Sequence, residues 1–576
     1  MAKKPRKAGL GAGPTATEPG AMTGRSMDSN TRRRPTRSWS LLFDVKVRRA
    51  FYLVLLAAMY SPLSQLILSP VYGSIPSAVY HKYGLIVSAM LSFVIKDYIP
   101  STIEKSFGPF VFWIPVIQFA LFSFSSTLGN PAGPLITECL TTYPLVTLAI
   151  ALACKQLESL DLSFLNDNVA EAGPSMVNYF LFTILQRIFD GVLPTWMGTN
   201  KLFTRVGLQT LIGATFMAIM PQTTWWPAMP ALAFTTIGNV HAPLDRPTEA
   251  LNNTLALHNY SLIERHESLT GYISVLQDNQ NKFRVMRCDH SLLGGEWMLP
   301  DDPTGKRKVA EPVYAVFTML EAVRLVEREK PVEQEQALNI GLGIGTAPSA
   351  LISHGINTTI IELDPIVHHF AVKHFGLPQN HQAYIGDAVS VVEMTKTDKH
   401  AYYDYIIHDV FTGGAEPVDL FTFEFLTSLN GMLKQEGVIT INYAGDLALS
   451  STSLIYRTIL EVFPSCRVFR EDEQIGEDGT DVTDTNGDFT NMVFICNKGT
   501  KPVTFRKAVE ADFLGSASRK AYMVPKFEVP VSKFQREGEL LTRANTKVLE
   551  KMHVQSAIGH WKLMRKVIPA AVWENW

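Results

Sequence analysis

Three glycines and three carboxylates are spaced in this chain as a cofactor site would need them. Gly341, Gly343 and Gly345 lie in ALNIGLGIGT (337–346), directly after the apolar run Ala337–Ile340, and Thr346–His354 then reads as a helix. Glycine permits a tight turn and a close approach of backbone to ligand, and the N-terminus of the following helix faces that ligand. A second apolar strand, Thr358–Ile361, ends at Glu362, about twenty residues beyond the turn, where a carboxylate accepts hydrogen bonds from ribose hydroxyls. After a helix over Val367–Phe375, Asp387 follows the strand Ala383–Ile385 and Asp409 follows Tyr405–Ile407. Taken singly, a glycine-rich turn or a strand-end Asp has an ordinary role in a turn or a helix cap. Four aligned strand ends of a parallel sheet instead converge on one crevice, which reads as a nucleotide-cofactor site.

The turn GLGIGT, the strand end IELDP, the segment IGDA and above all YDYIIHDVFTGGAEPVDLFTFEFLTSLNGMLKQEGVITIN (403–442) resemble the spermidine synthase-like proteins. These are polyamine aminopropyltransferases and their relatives on the class I methyltransferase fold, some fused to membrane segments. RHESLTGYISVLQ (265–277) with FRVMRCDHSLLGGEW (283–297) is similar to the small β domain that precedes the catalytic core, so the resemblance covers roughly residues 262–500. It implies that Gly341, Gly343 and Gly345 line the methionine-derived part of a sulfonium nucleoside. By the same resemblance Glu362 holds the ribose, Asp387 meets the adenine amine, and Asp409 is the acidic residue at the reaction centre.

Departures from the family pattern bear on the reaction. Ile344 stands where spermidine synthases place an Asp against the free ammonium of decarboxylated S-adenosylmethionine, and Thr412 stands where they place a second Asp to deprotonate the attacking amine. The acidic cluster that grips a polyamine is reduced to Glu311 and Tyr314, followed by Ala315. A buried ammonium left unpaired costs several kcal/mol, so a polycation is a poor fit. The family name implies aminopropyl transfer. Ile344 and Thr412 leave room for S-adenosylmethionine and methyl transfer, since both reactions are displacements at a carbon on sulfonium with the nucleophile held in line. Asp409 would then orient or deprotonate a small-molecule acceptor, an amine or other nucleophile. His408 reads as a partly buried strand residue, while Asn442 and Tyr443, after the strand Val438–Ile441, are expected to border the site. A third reading is a catalytically silent ligand-binding domain serving a membrane transporter or scaffold.

The elements that carry these residues occupy only part of the chain. Net charge is −2 and hydrophobic residues make up 46%, but the apolar residues concentrate in the first 240 positions. Phe51–Leu68, Tyr83–Ile99, Pro109–Leu128 and Leu135–Cys154 each approach the roughly 20 residues that cross a bilayer. Met176–Pro194 carries Gln186, Arg187 and Asp190, and Val206–Ile237 is broken by Pro221, Pro227 and Pro230, reading as one span plus an interfacial segment. The expected organisation is a disordered basic tail (1–40), a transmembrane region of about six helices (49–237) and a small β subdomain (240–300). A Rossmann-like α/β catalytic domain (301–500) and a C-terminal extension (501–576) follow. The extension ends in an apolar-basic segment, Ile558–Trp576, with the character of an amphipathic helix that docks on the domain or the membrane surface.

Basic residues before the first span place the N-terminus in the cytosol, and six spans, an even number, place the catalytic domain there too, where sulfonium nucleoside cofactors are made, on an organelle that sequence does not name. The sequons at Asn252, Asn259 and Asn357 would be used only on the lumenal side and are read as chance triplets. Five scattered cysteines suggest neither a disulfide framework nor a metal site, and the acidic stretch 470–488 reads as a solvated loop. No metal and no nucleic-acid partner is expected, and the family resemblance implies a homodimer.

Overall fold

The computed structural model describes residues 44–160, 166–220, 224–329, 334–410, 414–447, 449–471, 489–530, 534 and 537–576. The basic tail, Thr412 and most of the acidic stretch 470–488 lie outside the described residues.

Apolar helices fill the N-terminal part. Helices α1 (Val45–Tyr72), α2 (His81–Ile95), α3 (Ser101–Phe122), α4 (Thr142–Glu158), α5 (Asp167–Trp196), α6 (Arg205–Ile219) and α7 (Met229–Ile237) form a bundle. Its interior is packed with side chains such as Leu53, Tyr60, Ile67, Leu145 and Phe216. Met90, Val94, Val177, Phe180 and Ile184 remain exposed on the outside, a large apolar surface of the kind that meets lipid. Five stretches, Val45–Tyr72, Ser74–Tyr98, Ser101–Phe122, Ala132–Glu158 and Ala172–Trp196, are long and apolar enough to cross a membrane.

Contacts fix the direction of each pass. At one end Lys46 donates to the carbonyl of Ser159 at 2.9 Å, and Lys96 pairs with Glu158. At the other end Arg205, at the start of α6, is fully buried against Glu267 at 3.0 Å and Asp289 at 3.1 Å, both in the C-terminal half. Phe107 against Phe216, and Phe119 against Phe234, set α6 antiparallel and α7 parallel to α3. Helices α1 to α6 thus alternate in direction between these two ends, and α7 lies beside α3. Pro227 and Pro230 sit in the first turns of short helical segments, where a missing N–H costs nothing. Residue 44 and the C-terminal half lie at opposite ends of the bundle.

After α8 (Asp245–Ala256), five antiparallel strands form a small sheet in the order β1-β2-β3-β4-β5: β1 (Tyr260–Glu267), β2 (Tyr272–Asp278), β3 (Phe283–Cys288), β4 (Ser291–Trp297) and β5 (Glu311–Pro312). The larger domain alternates strand and helix: β6 (Gln336–Ile340), α9 (Thr346–Ser353), β7 (Asn357–Glu362), α10 (Pro365–His374), β8 (Gln382–Ile385), α11 (Ala388–Thr395) and β9 (Tyr403–His408). It continues with α12 (Phe423–Met432), β10 (Leu433–Asp446), α13 (Ser450–Val462), β11 (Ser465–Arg470), β12 (Phe489–Asn497) and β13 (Phe527–Glu528). The sheet order is β13-β11-β12-β10-β9-β6-β7-β8, with β6 to β10 parallel and β12 antiparallel to β10. Strand order reverses between β6 and β9, and ligands bind at such a switch point in this fold class.

Two features differ from the expectations. Cys466 and Cys496 face each other across β11 and β12 and form a disulfide with Cα atoms 4.1 Å apart; strand register brings together two residues that sequence spacing leaves unrelated. The C-terminal extension docks on neither surface alone. After α14 (Ala517–Tyr522), helices α15 (His553–Val567) and α16 (Ala570–Glu574) wedge between the bundle and the two sheets. Trp561 donates to the carbonyl of Val71 at 3.0 Å, Arg287 spans from Val572 O at 2.8 Å to Pro70 O at 2.7 Å, and Trp576 stacks on His241 at 4.7 Å.

Candidate active site

The register of β6 and β9 brings Ile340 opposite His408, so the glycine turn and Asp409 leave the sheet side by side. The Asp409 amide donates to Ile340 O at 2.8 Å. Gly341 has φ +80°, and a Cβ there would lie 2.0 Å from the carbonyl oxygen of Asp409. Gly343, at φ +54°, would place a Cβ 2.3 Å from Leu293 O in β4. These two glycines are therefore required by the protein itself. They let the turn, the β9 end and the small sheet close on one point.

Glu362 ends β7 and is buried. Its carboxylate accepts from the amides of Leu342 and Asp364, both at 2.9 Å, which locks it to the glycine turn; burial pushes its pKa up to about 7. Asp387 is exposed after β8 and caps α11 through Val389 N and Ser390 N, so the expected adenine contact would have to share its oxygens with the cap. Asp364 joins the structure without being singled out by the sequence. It caps α10 and accepts from Ser268 Oγ at 2.7 Å and Thr270 Oγ1 at 2.6 Å, tying the small sheet to the cofactor turn.

Asp409, Gly343, Asn442, Tyr314, Asn491 and His560 line one cavity of about 110 Å³. Asn442 Nδ2 donates to Asp409 Oδ1 at 2.8 Å, and loss of solvent pushes the Asp409 pKa up to about 6 despite that bond. Asn442 Oδ1 and the Tyr314 hydroxyl are buried without a partner among the described residues, so polar capacity is left for a ligand. Asp409 is the one carboxylate on this wall among the described residues. Tyr443, the next residue after Asn442, points the other way into the core and donates to Thr452 at 3.3 Å, as strand alternation requires. His408 is fully buried, bonds Leu420 O through Nε2 at 2.9 Å and packs edge-on against Phe421 at 4.8 Å; burial lowers its pKa to about 4. It is a core residue.

The departures from the polyamine pattern have structural roles. Glu311 accepts from Ala517 N at 2.7 Å, Ser518 N at 3.0 Å and Ser516 Oγ at 2.9 Å, capping α14 rather than facing a ligand. Ile344 joins an apolar cluster with Ile273, Met286 and Phe370. It also borders a second cavity of about 360 Å³ with Gly345 and Thr346, whose other walls include Arg307, Lys308 and Arg519; Arg519 is committed to Glu321 at 2.8 Å. Asn491 and His560 are absent from the sequence reading, because each comes from a segment whose only signal was apolar patterning.

Residues 318–469 match the spermine/spermidine synthase domain. A polyamine aminopropyltransferase of Vibrio vulnificus is 30% identical over 33% of this chain and 58% of its own length. A probable spermidine synthase of Corynebacterium glutamicum, known from its crystal structure, superposes with TM-score 0.35 and 16% identity over 48% of this chain and 96% of that one. The N-terminal histidine N-methyltransferase of Emericella nidulans is 44% identical over 91% of this chain and 96% of its own length. At that identity over nearly the whole of both proteins, the chain belongs to the family of the Emericella nidulans N-terminal histidine N-methyltransferase, and it is a transferase carrying a spermine/spermidine synthase domain.

Proposed function

We propose that this protein transfers a methyl group from S-adenosylmethionine to the N-terminal histidine of a polypeptide. The observation that carries the reading is the acceptor cavity, in which, among the described residues, uncharged side chains accompany the one carboxylate of Asp409. An imidazole attacks as a neutral base, so one proton acceptor is enough, whereas a polyamine needs several carboxylates. Aminopropyl transfer, the first expectation from the family name, is the weaker reading because Ile344 is apolar and Glu311 is consumed by a helix cap. The relative at 44% identity supports the same choice.

The residues present fit a sulfonium nucleoside: Glu362 is held by two backbone amides at the edge of the turn, and polar atoms of Asn442 and Tyr314 await partners in the adjoining cavity. When bound, the cofactor supplies a methyl group on a positively charged sulfur. Glu362 would receive the ribose hydroxyls, and Arg307 and Lys308 beside Ile344 would balance a carboxylate that decarboxylated S-adenosylmethionine lacks. Asn442 fixes the Asp409 carboxylate so that it can take the proton released by the acceptor. Calorimetry on the full chain in detergent micelles tests this: S-adenosylmethionine should bind more tightly than its decarboxylated form, and Glu362→Ala should weaken both. The reverse preference would return the polyamine reading.

Arg48, Arg49, Lys96, Lys105 and Lys155 gather at the end of the bundle that holds residue 44. Basic residues mark the cytosolic side, so we place the catalytic half on the opposite, lumenal side. The Cys466–Cys496 disulfide suits an oxidising compartment.

A further inference from the structure

Strand alternation sorts the side chains where β10 and β12 meet. The two strands are antiparallel, with Tyr443 opposite Met492, Asn442 opposite Val493 and Ala444 opposite Asn491. Tyr443 and Met492 enter the core with Phe425 and Leu454. Asn442 and Asn491 therefore stand on the other face of the sheet, where both border the cavity that holds Asp409. They are diagonal neighbours across the strand pair, roughly 7–8 Å apart at the backbone. The two carboxamides differ in what they already hold. Asn442 Nδ2 is spent on Asp409 at 2.8 Å. The half-buried Asn491 carboxamide has no hydrogen-bond partner among the described residues. Leu292, Leu293, Leu563 and Met564 add apolar contact to the same cavity. A free carboxamide in such surroundings offers an accepting oxygen and a donating NH₂ without bringing a charge.

A histidine at the start of a chain differs from every internal histidine by one group, its free α-amine. That amine is a weak base, losing its proton near pH 8, whereas a lysine ammonium does so at about 10.4. It therefore enters an enclosed site as the free base at small cost, and a neutral oxygen can meet its N–H groups. Extra carboxylates, which the ammonium groups of a polyamine demand, are unnecessary. Resting on the histidine-methylation reading above, we propose that Asn491 recognises the free α-amine of the acceptor, its Oδ1 accepting an N–H while the imidazole lies toward Asp409, and that this contact restricts the enzyme to histidine at a chain terminus. The diagonal placement divides the work along the sheet. Asn442 serves Asp409 at the reacting ring, and Asn491 serves the main-chain end of the same residue. In an internal histidine the same nitrogen is an amide carrying further backbone, which would press against Asn491.

The test uses the full chain in detergent micelles with Asn491→Leu, which keeps the volume and removes the hydrogen bond, and Asn491→Asp, which keeps an accepting oxygen in the same shape. Calorimetry reads three affinities: for S-adenosylmethionine, for a histidine-initiated peptide, and for the same peptide with its α-amine replaced by hydrogen. Cofactor affinity should stay within about twofold, which also shows that the variants fold. The wild type should prefer the amine-bearing peptide by about tenfold, the strength of one hydrogen bond. Asn491→Leu should lose that preference by weakening the amine-bearing peptide alone, and Asn491→Asp should keep it. A wild type without the preference, or an Asn491→Leu chain that retains it, would overturn the role of Asn491 and leave histidine methylation standing. A wild-type chain that binds S-adenosylmethionine but methylates no histidine-initiated peptide would overturn the functional reading, and this inference with it.

Discussion

Asp409 combines two demands that conflict. Its pKa of about 6 exceeds the ordinary Asp value, so the folded state favours the protonated form. The stabilising contribution is fully present below the unfolded value near 4, is lost as pH rises through about 6, and leaves a charged, poorly solvated group at neutral pH. Asp409→Asn should therefore raise the unfolding free energy at neutral pH by roughly 1–3 kcal/mol while lowering kcat/KM by about 10²-fold or more, measurable by thermal melts and turnover of the same sample. In the wild type, kcat/KM should rise with pH through about 6, where both Asp409 and a substrate imidazole lose their protons. Glu362 is a second buried carboxylate, held by two backbone amides. Glu362→Gln leaves one amide, of Leu342 or Asp364, facing an NH₂ group, so cofactor affinity should fall by about tenfold with less change in peptide affinity.

At the scale of elements, the parallel strands were legible because each is a short apolar run that stops at a glycine or acidic residue. The expected Ala337–Ile340, Thr358–Ile361 and Tyr405–Ile407 appear as Gln336–Ile340, Asn357–Glu362 and Tyr403–His408. The meaning of the glycines was only half legible. Local sequence shows that a turn is needed at Gly341, but that its Cβ would strike Asp409 O depends on β9, more than sixty residues away. Gly341→Ala should cost on the order of 1–3 kcal/mol and displace Asp409, so denaturant unfolding and turnover should both suffer. The disulfide was not legible, and of the C-terminal wedge only a docking helix over Ile558–Trp576 was, since the pairing and the place of docking depend on remote segments. Cys466→Ser with Cys496→Ser opens a cross-link of sequence separation 30. The oxidised protein should lose about 2–4 kcal/mol, while cofactor selectivity stays unchanged.

Across the whole molecule, the wedge of α15 and α16 joins the apolar helical bundle to the cavity that holds Asp409. The side of a membrane that a domain faces depends on the number of spans before it, which hydropathy does not fix where prolines interrupt an apolar stretch. If the catalytic half is lumenal, chain expressed in microsomes should carry glycan removable by endoglycosidase, lost in the combined Asn252→Gln, Asn259→Gln and Asn357→Gln variant, and should resist protease added outside sealed vesicles. Unmodified chain whose C-terminal half is digested from outside would place it in the cytosol. The most direct test of the function is mass spectrometry of a histidine-initiated peptide incubated with the purified full chain and S-adenosylmethionine, beside the same peptide extended by one preceding residue and beside putrescine with the decarboxylated cofactor. Histidine methylation predicts one added methyl group on the N-terminal residue of the first peptide and no product from the other two. Aminopropylated putrescine, with the peptide unmodified, would contradict it.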